Sequence, residues 1–300
     1  MTLTPRQKKS HMAKTINEIV KETIDEVMSQ EYLPLCEGID FNTYNNTVKF
    51  TDDHEDNVDT SLENNPVKDT KIVKGINVWS IFKRKKSPFG ELEQLDGNPL
   101  LYALKNIDGW KFISNENRRA FEDRLSEVID KFLSMYQSDI TVVVPSGGVV
   151  NEMLVKLIRM KSPQTFVVRD VMRKLSCWEV WHELSALDSP FRKKFGKTET
   201  QWKQTVREMT SAFIKMKLYR QDYFTYHFTP EKYRDAITTT LAKDETSCAQ
   251  YIPMFHDKNI LILDDSISRG ATIKNACNII KDFSPKSITV LTMFSKKYRF

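Results

Sequence analysis

The sequence is poor in the residues that build metal or disulfide scaffolds. Its four cysteines, Cys36, Cys177, Cys248 and Cys277, are scattered and form no Cys-x-x-Cys pair, which argues against a zinc site and a disulfide framework. A reducing cytoplasm is the compartment this usage implies. His182, His227 and His256 show no metal-ligand spacing, and His182-Glu183 lacks the second histidine of a zinc-protease helix. No apolar run reaches the ~18 residues that a membrane helix needs, and no signal-peptide core is visible, so no membrane partner is expected. Charge of one sign is scarcely in excess: 45 Lys and Arg against 40 Asp and Glu leave +5. That balance suits an anionic small molecule as well as a nucleic acid and decides neither.

What is present is a chain of 300 residues, 40% of them hydrophobic, enough for one large domain or a domain with an appendage. The stretch from Asn259 to Thr272 carries the most chemistry. Ile260 to Leu263 is an unbroken apolar run, which predicts a strand covered on both faces within a mostly parallel sheet. Ligands bind at the carboxyl edge of such sheets. Here that edge presents Asp264 and Asp265, then Ser268, Arg269, Gly270, Ala271 and Thr272, before Ile273, Ala276, Cys277, Ile280 and Phe283 repeat at helical spacing. A small-residue turn opening a helix aims several N–H groups at one point and suits a phosphate. The hydroxyls of Ser268 and Thr272 and the guanidinium of Arg269 add donors. Adjacent carboxylates repel a phosphate, so they face sugar hydroxyls, a magnesium ion or positive charge on a reacting carbon. The bland alternative is a pair of acids that cap a helix or accept backbone hydrogen bonds.

The run Asp264-Asp265-Ser266-Ile267-Ser268-Arg269-Gly270-Ala271-Thr272 after a strand resembles the 5-phosphoribosyl-1-pyrophosphate (PRPP) loop of the type I phosphoribosyltransferases. Its wording is most similar to the amidophosphoribosyltransferase version, including Arg269 where many members have threonine. The resemblance implies an α/β fold, with a mostly parallel sheet flanked by helices, an α-rich N-terminal extension and a helical, aromatic hood. It also implies that Asp264 and Asp265 act at the reacting sugar by holding its 2- and 3-hydroxyls, and that Ser268 to Thr272 wrap the 5-phosphate. Mg²⁺ is the implied cofactor, bound mainly through PRPP oxygens near Asp264 and Asp265.

A second strand, Ile140 to Val144, ends in Pro145-Ser146-Gly147-Gly148 before a helix with Met153, Leu154, Leu157 and Ile158 on one face. Alone this is a tight turn; by the resemblance, Ser146, Gly147 and Gly148 take the pyrophosphate. Many members have a basic residue in that loop and this chain has none, so the charge must be met from elsewhere. Arg169 and Arg173, at the end of the strand Phe166 to Val168, are the candidates, with an ordinary charged helix start as the equal alternative. Phe294 and Lys296, past a last strand at Ile288 to Met293, occupy the acceptor position of the family; capping the core is the other role for Phe294.

The chain divides by this reading into 1–70, 71–138 and 139–300. The first part holds an amphipathic helix, with Ile16, Ile19, Val20, Ile24, Val27 and Met28 on one face, and an acidic solvated linker from Thr51 to Pro66. That helix must pack on the rest of the chain or on a second copy, so a homo-oligomer is one expectation. The middle part is an extension packed on the core, with a strand at 72–82, an exposed basic turn at Lys83 to Lys86, a short helix ending Leu104-Lys105, and a long helix capped by Ser114. The order of these elements resembles the competence-protein branch of the same family, whose members often lack a glutaminase domain. No leading catalytic cysteine is present, so glutamine-dependent chemistry is not expected. The third part is the phosphoribosyltransferase-like domain. Its insertion at 178–250 mixes cations with aromatics and reads either as a lid over PRPP or as a surface for single-stranded nucleic acid.

The expected function is transfer of a 5-phosphoribosyl group from PRPP to a nitrogen of a base or amine, with release of pyrophosphate. A PRPP- or nucleotide-sensing module and a nucleic-acid-associated, defence-type effector are the alternatives.

Overall fold

The computed structural model describes residues 46–50, 58–69, 72–85, 98–106, 109–145, 148–218, 222–226, 228–267 and 270–297. The amphipathic segment 16–28, the acidic residues 51–57, and Ser146, Gly147, Ser268 and Arg269 lie outside them. The chain forms two compact units. One comprises Leu33–Arg173 and Lys243–Phe300, and the other contains Lys174–Ala242.

The larger unit begins with β1 (Thr47–Val48), β2 (Val58–Asp59), β3 (Val67–Asp69), β4 (Asn77–Lys85), α1 (Asn98–Lys105), β5 (Lys111–Phe112), α2 (Asn115–Met135), β6 (Ile140–Val143), α3 (Val149–Lys161) and β7 (Phe166–Val168). β8 (Met172–Lys174) leads out of it. The smaller unit holds α4 (Cys177–Ser185), α5 (Pro190–Phe195), α6 (Glu199–Leu218) and α7 (Glu231–Arg234), and β9 (Leu241–Lys243) leads back. The larger unit is completed by α8 (Glu245–Phe255), β10 (Asn259–Ile267), α9 (Ala271–Lys281) and β11 (Ser287–Lys297).

The main sheet runs β4-β11-β10-β6-β7, with every neighbouring pair parallel, while β2 and β3 add antiparallel to the outer edge of β4. The molecule is thus an α/β protein with a mixed, mostly parallel sheet flanked by helices. All four residues of β6 are buried, as are Ile260 to Leu263 in β10, which is why these segments show no polar alternation. The long helix α2 forms where Ser114 accepts a hydrogen bond from the Asn117 backbone N–H, and it buries Phe121, Leu125, Val128, Ile129 and Phe132. Phe121 packs edge-on to Phe50 at 5.7 Å and against Phe82 at the same distance, joining helix, sheet and N-terminal segment in one core. A fully buried aromatic of this kind stabilises the fold by about 1.5–3 kcal/mol.

Two parts of the sequence reading change here. The strand of the expected extension is a full member of the main sheet: β4 pairs with β11 from Asn77 to Lys85. Lys83 to Lys85 therefore lie in the ladder instead of on an exposed turn, and Arg84 is buried, opposite Lys296 on one side and Val58 on the other. The described part of the acidic linker is also folded. Asp59 accepts hydrogen bonds from the Ser61 N–H and hydroxyl and from the Asn64 amide, so its charge closes a local turn. Arg124 and Lys131 of α2 donate to the carbonyls of Thr60, Leu62 and Glu63. The turn is thereby fastened to the helix.

The smaller unit has its own apolar core, in which Phe191, Trp202, Val206, Met209, Phe224 and Tyr233 are buried. Trp181 stacks on Trp202 at 5.7 Å with 7° between the rings, and the Arg192 guanidinium lies 4.5 Å from the Trp202 ring centroid. Most of the interleaved aromatics, read from the sequence as part of either a lid or a stacking surface, are thus packed in this core. Trp178 and Tyr223 remain exposed.

The described cysteines are free thiols in apolar surroundings. Burial pushes the Cys277 thiol up to about 12 and raises those of Cys248 and Cys177 as well. Since the thiolate is the reactive form, Cys277 and Cys248 should resist alkylation in the folded protein at pH 8 and react at the rate of a free thiol in urea. Mass-spectrometric mapping of iodoacetamide adducts checks this; rapid native labelling of Cys277 would contradict the packing of α9.

Candidate functional site

Strand order locates the site. From β6 the chain passes through α3 to β7 on one side, and β10 then continues on the other side of β6 towards β11. The sheet order therefore reverses between β6 and β10, and in open α/β sheets the crevice at the carboxyl ends of the strands flanking such a reversal is where ligands bind. Both loops singled out in the sequence leave the sheet there. The β6 ladder to β10 runs from Ile140↔Ile260 to Val143↔Leu263, and the Val144 N–H closes it on the Leu263 carbonyl at 2.9 Å. Beyond Leu263, β10 continues to pair only with β11, through Ile267↔Ser295. Asp264 and Asp265 thus sit where one neighbouring ladder stops and the other goes on. They belong to the strand itself, which is longer than the apolar run suggests because β11 extends with it.

Asp264 is 5% exposed, and its Oδ1 accepts the Asp265 backbone N–H at 2.9 Å. Asp265 is half-buried. Its Oδ1 accepts the Ser266 hydroxyl at 2.9 Å, and its Oδ2 accepts Nζ of Lys105 at 2.5 Å. Lys105 is the last residue of α1, 160 positions from its partner, and α1 packs against α3. The lysine stem lies against the other loop as well: a methyl built on Gly148 would sit 3.5 Å from its Cε. One cation therefore bridges the glycine turn after β6 and the acid pair of β10. The sequence contained a faint signal of it, a Leu-Lys helix end before a long helix, but nothing to say where the ammonium lies.

Both loops end in a glycine at the start of a helix, Gly148 with extended backbone and Gly270 in the left-handed region. Gly148 and Gly270 are the N-caps of α3 and α9, and among the described residues no side chain caps either helix, whereas Ser114, Ser176, Ser189 and Asp244 cap α2, α4, α5 and α8. First-turn N–H groups left without a capping side chain are donors for an anion. Gly270 adopts φ 77° and ψ 13°, the left-handed region, which explains glycine at this point of the turn. Asn151, in the first turn of α3, donates its Nδ2 to the Val144 carbonyl at 3.0 Å and so ties the helix start to the strand end. Its contribution had no mark in the sequence. Ala271 and Thr272 form the first residues of α9 and are half-buried.

The remaining candidates are placed as follows. Arg169 is held by Glu152 of α3 in a two-point ion pair, Nη2 to Oε2 at 2.8 Å and Nε to Oε1 at 3.1 Å. The hydrogen bond from Arg169 holds the Glu152 carboxyl below its usual range and raises the guanidinium. Arg173 is exposed in β8. Phe294, placed by the resemblance at the acceptor, is 0% exposed and packs against Phe82 in the core, so it offers no face to a base. The alternation of β11 turns it inward.

Among the described residues no group of three or more His, Cys, Asp or Glu gathers as a cation cage. The adjacent carboxylates of Asp264 and Asp265 fit the manner in which magnesium is held, by one or two acids together with substrate oxygens. No helix of the described residues is long and apolar enough to cross a membrane. In comparisons with known proteins, no family model matches the chain and no curated protein matches it.

Proposed function

We propose that the chain binds PRPP and transfers its 5-phosphoribosyl group to a nitrogen of a base or amine. The observation that carries this reading is the convergence, at the reversal between β6 and β10, of two uncapped helix N-termini and an acid pair. The strand order β7-β6-β10-β11-β4 supports this reading, because the strands on either side of the reversal, β6 and β10, each lead to a helix that opens on a glycine.

In this reading the α9 turn, Ser268 to Thr272, takes the 5-phosphate, and the α3 turn, Ser146 to Gly148, takes the pyrophosphate. Asp264 and Asp265 accept the ribose hydroxyls between them. The nitrogen lone pair forms the new bond to C1 as the C1–O bond breaks with its electrons leaving on pyrophosphate, and the nitrogen then loses a proton. Two acids beside C1 favour the positive charge that develops there, and fixed N–H groups hold both anions in line. A magnesium ion bound mainly through PRPP oxygens near Asp264 and Asp265 would supply positive charge to offset that of the departing pyrophosphate.

The test is incubation of the protein with PRPP and Mg²⁺ and a panel of bases and amines, with pyrophosphate release as the readout. Release that depends on one acceptor supports transfer. PRPP binding with no release under any condition replaces transfer by a sensing role at the same site. Absence of PRPP binding overturns both.

A further inference from the structure

We propose that Lys105 is the cation that binds the pyrophosphate end of the ligand, handed over from Asp265 as the ribose hydroxyls take its place. This rests on the phosphoribosyl reading of the site. The turn after β6 has no basic residue of its own, and Arg169 is engaged by both oxygens of Glu152. The Lys105 stem runs beside the start of α3, where a methyl built on Gly148 would meet its Cε at 3.5 Å, ordinary contact distance.

Its position is set by the fold. Leu100, Leu101, Ala103 and Leu104 of α1 are buried in the main core, so the helix end is fixed and the lysine side chain, 22% exposed, projects from an anchored base. An ammonium has three N–H donors, and Asp265 takes one of them. A diphosphate bound on the first turn of α3 would lie beside the lysine stem, within reach of its head by side-chain rotation. The exchange leaves neither group without a hydrogen-bond partner. Asp265 trades an ammonium donor for ribose hydroxyl donors, and Lys105 trades a carboxylate for a diphosphate oxygen. Before the exchange the lysine offsets the negative charge of the acid pair, which would otherwise repel an anionic ligand. The arrangement discriminates: a pentose monophosphate satisfies the α9 turn and the acids but gives the displaced lysine nothing to bind.

Isothermal titration of the full chain with three probes tests this: PRPP with Mg²⁺, inorganic pyrophosphate with Mg²⁺, and ribose 5-phosphate. Lys105→Gln should weaken PRPP and pyrophosphate by roughly 10–100-fold, the usual worth of one hydrogen bond to a charged group, while ribose 5-phosphate changes by less than about threefold. Lys105→Arg should restore part of the loss. Equal weakening of all three probes would make Lys105 a structural prop, and no change in any would remove it from the site; either result overturns the inference while PRPP binding by the unaltered protein upholds the function. Failure of the unaltered, folded protein to bind any probe overturns the reading beneath it.

Discussion

Asp264→Asn combined with Asp265→Asn is expected to lower phosphoribosyl transfer by roughly a hundredfold or more, because each change removes charge from an acceptor whose hydrogen bonds contribute ~1.5–3 kcal/mol. The substitutions keep shape and leave an amide oxygen where the carboxylate oxygen was. The bond from the Asp265 N–H to Oδ1 of residue 264 can therefore persist. Lys105 loses the charge of its partner in a pair that is largely buried, at 22% and 13% exposure, but the amide oxygen at position 265 can still accept its N–H, so the loss to stability is held to roughly 1–2 kcal/mol. The variant should consequently fold, with a circular-dichroism spectrum close to that of the unaltered chain and a modestly lower melting temperature. Pyrophosphate release with the best acceptor of the panel is the measurement. A folded double variant with undiminished turnover would place the reaction elsewhere in the molecule.

Gly270→Ala should damage both stability and phosphate binding. The residue has φ 77°, where an added side chain costs roughly 1–2 kcal/mol. Its new Cβ would also lie 2.5 Å from Cγ2 of Ile72, inside any real contact, so a neighbour must move at a cost of ~1–3 kcal/mol. Together these predict a fall in melting temperature of roughly 5–15 °C for a unit of this size. They also predict weaker binding of ribose 5-phosphate, since the α9 turn would shift. Ile72→Ala relieves the overlap but not the backbone strain. The double variant should recover part of the stability, with a coupling of about 1 kcal/mol. Full stability of Gly270→Ala alone would show that the turn does not hold the left-handed conformation.

Ile72 illustrates why part of the site was beyond a reading of the sequence. It lies nearly two hundred positions before the glycine it covers, in a stretch whose strand was expected to belong to a peripheral extension. Once β4 takes its place beside β11, the lead-in to that strand falls over the α9 turn, and the basic residues that follow become ladder residues. The aromatics of the insertion at 178–250 left two readings open for a related reason. Spacing alone does not distinguish a ring that faces solvent from one that faces the core of its own unit, and Phe191, Trp202 and Phe224 face inward. At Phe294 the structure decides between the two roles left open, acceptor contact and core cap, in favour of the core.

The linear order of residues by itself determined the buried strands β6 and β10, the helices that follow them, the glycine turns between, and the acid pair at the end of β10. These are local matters: apolar runs, helical spacing and the backbone freedom of glycine act over a few residues and leave their mark in the chain. Only the tertiary structure decided that β6 and β10 are neighbours across a reversal of sheet order, that β4 completes the sheet, and that Lys105 reaches Asp265 across 160 positions. Such pairings depend on which surfaces fit when the whole core closes, and no stretch of a dozen residues contains that information.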